Sequence, residues 1–291
     1  MGKPVLVIHG GAGAREGHHT TFQLYARSLD RIVEDAWKIL GSKGSRAAVL
    51  HAIRALEDDP IFNAGLGSRI QKDGHVRMSA ALMDGVAGRF SGVVNVEEVE
   101  HPIDIAAALA NHDHRVLAGP PATDFARNVL QMGVFDPRTP HRLDEHRSRE
   151  SGKTGTVGAV ALDSDGSLWA GTSTGGVGYE IPGRMSDSAT VAGTYANALA
   201  GVSCTGQGEH IVDHAAAARV LTRVSDGMSL AAAVDKTIAE ADRASLDYGL
   251  IGLDSEGNAM AAQTSDMTTL FCIRDDAGKR GFLDARQDNT A

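Results

Sequence analysis

The chain has 291 residues, enough for one large domain or two ordinary ones with an ample core. Its 42% hydrophobic and 22% charged content is that of a soluble globular protein. A net charge of −9, with no basic block set against it, argues against nucleic acid or an anionic membrane as partner, and no apolar run approaches the roughly 18 residues of a membrane span. Cys204 and Cys272 make no disulfide framework, which fits a reducing cytoplasm. The opening MGKPVLVIHGG has too short an apolar run for a signal peptide and reads directly into a strand.

In chain order, Pro4 to His9 is a short apolar run expected to form a buried strand, ending in Gly10-Gly11-Ala12-Gly13. Thr20 and Thr21 can cap a helix with Phe22, Tyr25, Leu29, Ile32, Val33, Ala36, Trp37 and Leu40 at helical spacing, stopped by Gly41. Ser45 caps a second helix carrying Val49, Ile53 and Leu56, which ends at Glu57-Asp58-Asp59-Pro60. After the turn-rich Asn63 to Ser68, strands are expected over Arg69 to Met78, around Lys72-Asp73-Gly74, then over Ala81 to Asp84 and Phe90 to Val99. Helices follow over Ile103 to Ala110 and Ala122 to Met132. A polar, charge-dense stretch over about 137–155 then reads as a flexible tether.

Beyond the tether the rhythm changes. Thr156 to Leu162, the turn Asp163 to Gly166 and Ser167 to Ser173 read as a hairpin, and Val191 to Tyr195 and Gly201 to Cys204 as short strands. Helices over His210 to Val224 and Ser229 to Ala241 precede a hairpin of Tyr248 to Leu253 with Asn258 to Gln263, turning at Asp254 to Gly257. Strands and helices come in blocks, which favours antiparallel sheets covered by helices, an α+β fold.

The junction Gly155-Thr156 invites a chemical reading. Its ordinary interpretation is a loop entering a core strand. If the bond is cut, however, Thr156 carries a hydroxyl and a free α-amine on one residue, a nucleophile paired with its own base. An α-amine titrates at about 8, so near neutrality part of it can accept the hydroxyl proton, and burial lowers it further.

The ordered segments HGGAG (His9 to Gly13), EDDPIFNAGLGS (Glu57 to Ser68), ALMDG (Ala81 to Gly85), GTVGAVALD (Gly155 to Asp163), TSTGG (Thr172 to Gly176), PGRMSDS (Pro182 to Ser188) and SCTGQGE (Ser203 to Glu209) resemble the plant-type L-asparaginase/isoaspartyl aminopeptidase family. These are N-terminal-nucleophile hydrolases with a four-layer α-β-β-α sandwich. The resemblance runs from Pro4 to about Asn258. It implies a single domain over 1–291 made as a precursor and cut between Gly155 and Thr156 into an α subunit, 1–155, and a β subunit, 156–291. It also implies a dimer of such αβ units. By the resemblance, Thr156 is nucleophile and self-cleavage residue, and Thr174 hydrogen-bonds it. Thr205 and Gly206 form the oxyanion hole. Arg184 and Asp187 grip the α-carboxylate and α-ammonium of L-asparagine or a β-aspartyl dipeptide, with the Gly208 carbonyl assisting, and Asn63 shapes the site floor. No catalytic cofactor is implied. A structural Na+ or K+ would sit on the carbonyls of Leu56, Glu57, Phe62, Ala64 and Leu66. An Arg fork and a carboxylate three residues apart suit an amino-acid head group, although the same pair could form an ordinary surface salt bridge.

Two departures bear on specificity. Ser79 stands where many relatives have Asp. After Asn258 the chain reads Met260 to Met267 in place of a Pro-Phe-Asn-Thr type segment, which bears on the distal wall of the pocket and the leaving group. Competing readings are a glycosylasparaginase, a taspase-like threonine protease, or an uncleaved, non-enzymatic binder of aspartyl metabolites. His210 and His214 stand at i, i+4, but HIVDH lacks the metalloprotease glutamate and a third ligand. Gly10, Gly11 and Gly13 lack the Lys-Ser/Thr of a phosphate loop. Asp163, Asp165 and Gly166 are accounted for by a turn, and Cys204 reads as inert core.

Overall fold

The computed structural model describes residues 3–14, 19–149, 155–282 and 284. Its first half runs β1 (Val5–Ala14), α1 (His19–Asp58), β2 (Met78–Asp84), β3 (Arg89–Val96), α2 (Pro102–Leu109), β4 (Val116–Ala118), α3 (Gly119–Asn128) and α4 (Pro140–Ser148). The second half runs β5 (Val157–Leu162), β6 (Leu168–Thr174), a 3-10 turn (Asp187–Ala189), β7 (Thr194–Ala196) and β8 (Ala200–Gly206). It continues with α5 (Gly208–His214), α6 (Ala216–Ser225), α7 (Leu230–Arg243), β9 (Tyr248–Asp254), β10 (Ala259–Gln263), β11 (Met267–Asp275) and β12 (Gly278–Gly281). The fold is mixed α+β.

Two sheets form, ordered β12-β11-β1-β5-β6-β2-β3-β4 and β10-β9-β8-β7. Their pairings are antiparallel except β3 with β4. The run VGAVAL is apolar throughout because β5 is buried along its whole length near the middle of the larger sheet. Val157, Ala159 and Ala161 pack into a core with Leu29, Val33, Val49 and Ile53 of α1. The alternate residues Val160 and Leu162 join Ile251 and Leu253 of the smaller sheet in a second core. Fully burying side chains of this size contributes about 2 kcal/mol each. A third core, of Val202, Cys204 and Leu250 with Ile211, Leu221 and Val234, fastens α5, α6 and α7 to the smaller sheet. Thr156 thus enters the gap between two sheets whose faces are sealed elsewhere.

Several expectations are corrected. The two expected N-terminal helices form within the span of α1, and the break between them falls at Gly44 (φ 80°, ψ 178°) and not at Gly41. Ser45, expected as a cap, donates from its backbone N and its Oγ to Asp163 Oδ2, 3.0 and 2.8 Å away, so the capping acceptor comes from a turn 118 residues along the chain. The side chains of Thr20 and Thr21 lie outside the described residues. Of the strand expected over 69–78 only Met78 is in a strand; β2 continues unbroken from it to Asp84 and turns into β3 over 85–88. The helix expected over 210–224 breaks at Ala215 (φ 48°). A closing pair, β11 and β12, extends the larger sheet beyond the last expected hairpin.

The flexible tether is the largest correction. Residues 150–154 lie outside the described residues, but the part before them holds α4, which begins with Pro140 and is capped by Thr139 Oγ accepting from the Arg142 N–H. Arg142 is only 5% exposed. It donates from Nε to the Gly67 carbonyl at 2.6 Å and from Nη1 to both oxygens of Glu145 at 3.0 and 2.8 Å, while Arg69 pairs with Glu145 from the other side at 3.3 Å. The backbone N–H of Gly67 returns to the Pro137 carbonyl. Polar contacts seat this helix on the loop that carries Asn63.

Candidate active site

Register brings the threonines together. Val157 pairs with Ser173, which sets Thr156 beside Thr174 at the end of β6. Thr156 Oγ donates to Thr174 Oγ at 3.2 Å, and Thr174 Oγ also accepts from the Gly176 N–H. From the opposite sheet, Thr205 Oγ donates to the Thr156 carbonyl at 3.3 Å and accepts from the Ala12 N–H at 3.0 Å. Strands β1, β5 and β6 of one sheet and β8 of the other therefore converge on Thr156, which is 6% exposed.

The bond ahead of it is held tightly. Gly155 has φ +148°, and a Cβ added there would overlap the side chain of Asn63. Asn63 is fixed in turn: its Nδ2 donates to the Gly176 carbonyl at 2.6 Å, its Oδ1 accepts from the Arg69 N–H at 2.8 Å, and its own carbonyl accepts from the Gly175 N–H at 2.8 Å. While the Gly155–Thr156 peptide is intact, the nitrogen of Thr156 is an amide and cannot serve as a base. The acceptor seen for its hydroxyl is Thr174.

Thr156, Thr174, Arg184, Asp187, Gly206 and Gly208 line one narrow cleft, with Gly155, Gly176, Val177 and Ser186. Thr205 and Asn63 stand directly behind that lining. Arg184 makes a two-point fork to Glu209, Nε to Oε1 and Nη2 to Oε2, each at 2.8 Å. Asp187 is buried. Removal from water pushes its carboxyl up to about 7, against the hydrogen bond from Ser186 Oγ and the charge of Arg184, which favour the ionised form. Its Oδ2 has no hydrogen-bond partner among the described residues. A buried, under-partnered acid in a cleft is suited to a cationic ligand.

Behind the cleft lies a chain of hydroxyls that the sequence reading did not single out. His9 Nε2 lies 2.9 Å from Ser203 Oγ, Ser203 Oγ lies 2.7 Å from Thr172 Oγ, and Thr194 Oγ joins Thr172 to the Ser188 carbonyl at 2.9 Å. Burial pushes His9 down to about 3, so it is neutral and acts as a hydrogen-bonding strut. The network ties β1, β6, β7 and β8 to the turn that carries Asp187.

The loop expected to hold a cation is tightly curled. The Leu66 N–H donates to the Glu57 carbonyl at 2.7 Å, and Cβ atoms added at Gly65 and Gly67 would lie 2.5 Å from the Glu57 carbonyl oxygen and 2.9 Å from that of Phe62. The carbonyl oxygens of Glu57, Pro60 and Phe62 lie close against these two glycines. The Glu57 side chain is buried and faces away from this role, accepting from Ser173 Oγ at 2.6 Å and the Ile103 N–H at 3.2 Å. Away from the cleft, Asp58, Glu100 and His101 are close enough to share an ion. His210 accepts from the Asp247 N–H at 2.9 Å, and His214 Nδ1 lies 2.7 Å from the Tyr248 hydroxyl, so both rings serve the packing of α5. Cys204 is fully buried, and its thiol is pushed far up by loss of water contact, as an inert core residue should be. Met260 to Met267, expected to bear on the distal wall, fall in β10, the turn after it and the start of β11, and do not line the cleft. No helix among the described residues is long and apolar enough to cross a membrane.

A family model described as asparaginase matches residues 2–281. The chain is 40% identical to an isoaspartyl peptidase/L-asparaginase of Nostoc, over 91% of this chain and 90% of that one. It is 36% identical to the isoaspartyl peptidase of Escherichia coli, over 100% and 99%. With the plant-type L-asparaginase of Thermococcus kodakarensis the identity is 35%, over 91% and 95%.

Proposed function

Because this chain belongs to the asparaginase family and is a hydrolase, we propose that it hydrolyses L-asparagine to aspartate and ammonia and cleaves β-aspartyl dipeptides, using Thr156 after self-cleavage at Gly155–Thr156. The observation that carries the reading is the meeting of Thr156, Thr174 and Thr205 beside a cleft that also holds a guanidinium and a buried carboxyl. In the precursor, Thr156 Oγ attacks the Gly155 carbonyl, an ester forms as the peptide C–N bond breaks and frees the α-amine, and water then hydrolyses the ester to release the Gly155 carboxylate and restore the Thr156 hydroxyl. In the mature enzyme that amine takes the hydroxyl proton while Oγ attacks the substrate's side-chain carbonyl. Ammonia or an amino acid leaves, and water hydrolyses the β-aspartyl ester. Thr205 and the Gly206 N–H stabilise the oxyanion. Arg184 holds the α-carboxylate, and Asp187 the α-ammonium with the Gly208 carbonyl.

Three cores, one between the two sheets and one on each outer face, support a four-layer α-β-β-α sandwich. Crowded carbonyls in the loop after α1 suit a Na+ or K+ held by Leu56, Glu57, Phe62, Ala64 and Leu66, which would stiffen the Asn63 loop. Self-association as a dimer of αβ units belongs to the same reading.

Denaturing electrophoresis and ammonia release from the purified protein test the proposal together. The expected result is two pieces, residues 1–155 and 156–291, with activity on both substrates. A single uncut band from a fully active preparation refutes the role of Thr156.

The buried carboxyl adds a pH dependence. Burial pushes Asp187 up to about 7, so below that value it carries a proton and loses its attraction for the substrate's ammonium. KM for L-asparagine is expected to climb by up to about tenfold per pH unit below 7, a rise absent from Asp187→Asn, while protonation of the Thr156 α-amine gives kcat an acid limb of its own in both proteins. Stability moves the opposite way to the usual carboxylate. The folded state holds the proton more tightly than the unfolded chain, so Asp187 costs stability progressively as pH rises from about 4 to about 7.

A further inference from the structure

A guanidinium can hold a carboxylate along either of two edges, Nε with one terminal nitrogen or the two terminal nitrogens together. Glu209 occupies the first edge of Arg184. The Glu209 side chain is 60% exposed and that of Arg184 only 14%, so Glu209 holds Arg184 from the solvent side while the guanidinium reaches inward. Gly208 lies between the two halves of the clamp. A Cβ there would sit 2.5 Å from Arg184 Nη2 and 2.9 Å from Asp187 Oδ1, so both groups look onto one point of bare backbone.

Arg184 and Asp187 have opposite charges and stand this near each other, yet they form no salt bridge; the partner of Arg184 is Glu209, and Asp187 Oδ2 has no hydrogen-bond partner among the described residues. Without Glu209 the nearest neutralising anion for Arg184 is Asp187, and their pairing would close the clamp on itself. We propose that Glu209 is a positioning residue that holds Arg184 by its outer edge, keeping it off Asp187 and leaving the two-nitrogen edge for the substrate's α-carboxylate. The inference rests on the assignment of Arg184 and Asp187 to the substrate's head group.

The test compares wild type with Glu209→Gln and Glu209→Asp in kcat and KM for L-asparagine from pH 5 to 9, with electrophoresis and thermal melting to verify cutting and folding. Glu209→Gln removes the charge from an exposed site, so the fold is expected to survive. KM is expected to rise about tenfold with kcat within about twofold. The acid limb of kcat/KM shifts to lower pH as Arg184 turns to Asp187, and Glu209→Asp recovers part of the loss. The groups acting on Asp187 are Arg184, Glu209 and the Cys204 thiol of β8, which burial keeps neutral, together with the freed Thr156 α-amine, which shares the cleft and whose own limb is read in kcat and stays in place. A shifted limb separates positioning from a loss of general stability, which leaves it in place. An unchanged KM and limb in an active enzyme overturns the inference alone, and a falling KM overturns it in favour of a carboxylate that competes with substrate. A wild type inactive on both L-asparagine and β-aspartyl dipeptides overturns the functional reading and this inference with it.

Discussion

Thr156→Ala is expected to accumulate as one uncut chain of 291 residues and to lose asparaginase activity by at least about 10⁴-fold. One hydroxyl serves both reactions, so a single substitution removes both. The fold should survive, because the lost polar contacts are the bond to Thr174 Oγ and nothing that seals a core. Thr156→Ser keeps the nucleophile and should still be cut. Electrophoresis reads the cut and ammonia release reads the turnover. A cut Thr156→Ala protein would mean that another group severs the chain, and full activity without a cut would mean that the free amine is not the base.

Thr205→Val carries the second largest effect, a fall in kcat of about 10² to 10³ with a smaller change in KM. Its hydroxyl donates to the Thr156 carbonyl in the uncut chain, which puts a donor beside the nucleophilic residue from the opposite sheet. Valine preserves shape and removes that donor. It also strands the buried Ala12 N–H, at about 1–3 kcal/mol, so thermal melting must accompany the kinetics. Thr205→Ser separates the two effects by restoring the hydroxyl and with it both activity and stability. A Thr205→Val enzyme with wild-type kcat would remove this hydroxyl from the oxyanion hole.

Much of this site could be read from the chain because its parts are local. The β5–β6 hairpin announces itself by an apolar run, an Asp-rich turn and a second run, and its register alone seats Thr156 beside Thr174. Arg184 and Asp187 share one short segment. The rest depends on distance in sequence. No spacing rule links Arg184 to Glu209, 25 residues away, or Ser45 to Asp163, 118 away, since each partner is chosen by the packed sheets. Helix α4 was missed for a different reason. Apolar periodicity does not mark it, because this helix is held by the buried Arg142 and its pair with Glu145, while its other charges, such as Arg147 with Asp144, face solvent. A Thr-Pro start was the available signal. The closing strand β11 was legible in Met267 to Ile273, whose β-branched and apolar character the reading passed over after Gln263.

Helix α4 also sets a leash. It stops at Ser148, seven residues before the bond proposed to break, and a stretched chain gains at most about 3.5 Å per residue. If that bond is severed, the new terminus at Gly155 can retreat only some 25 Å from Ser148 while α4 stays seated, which tethers the released end to the body that carries Thr156.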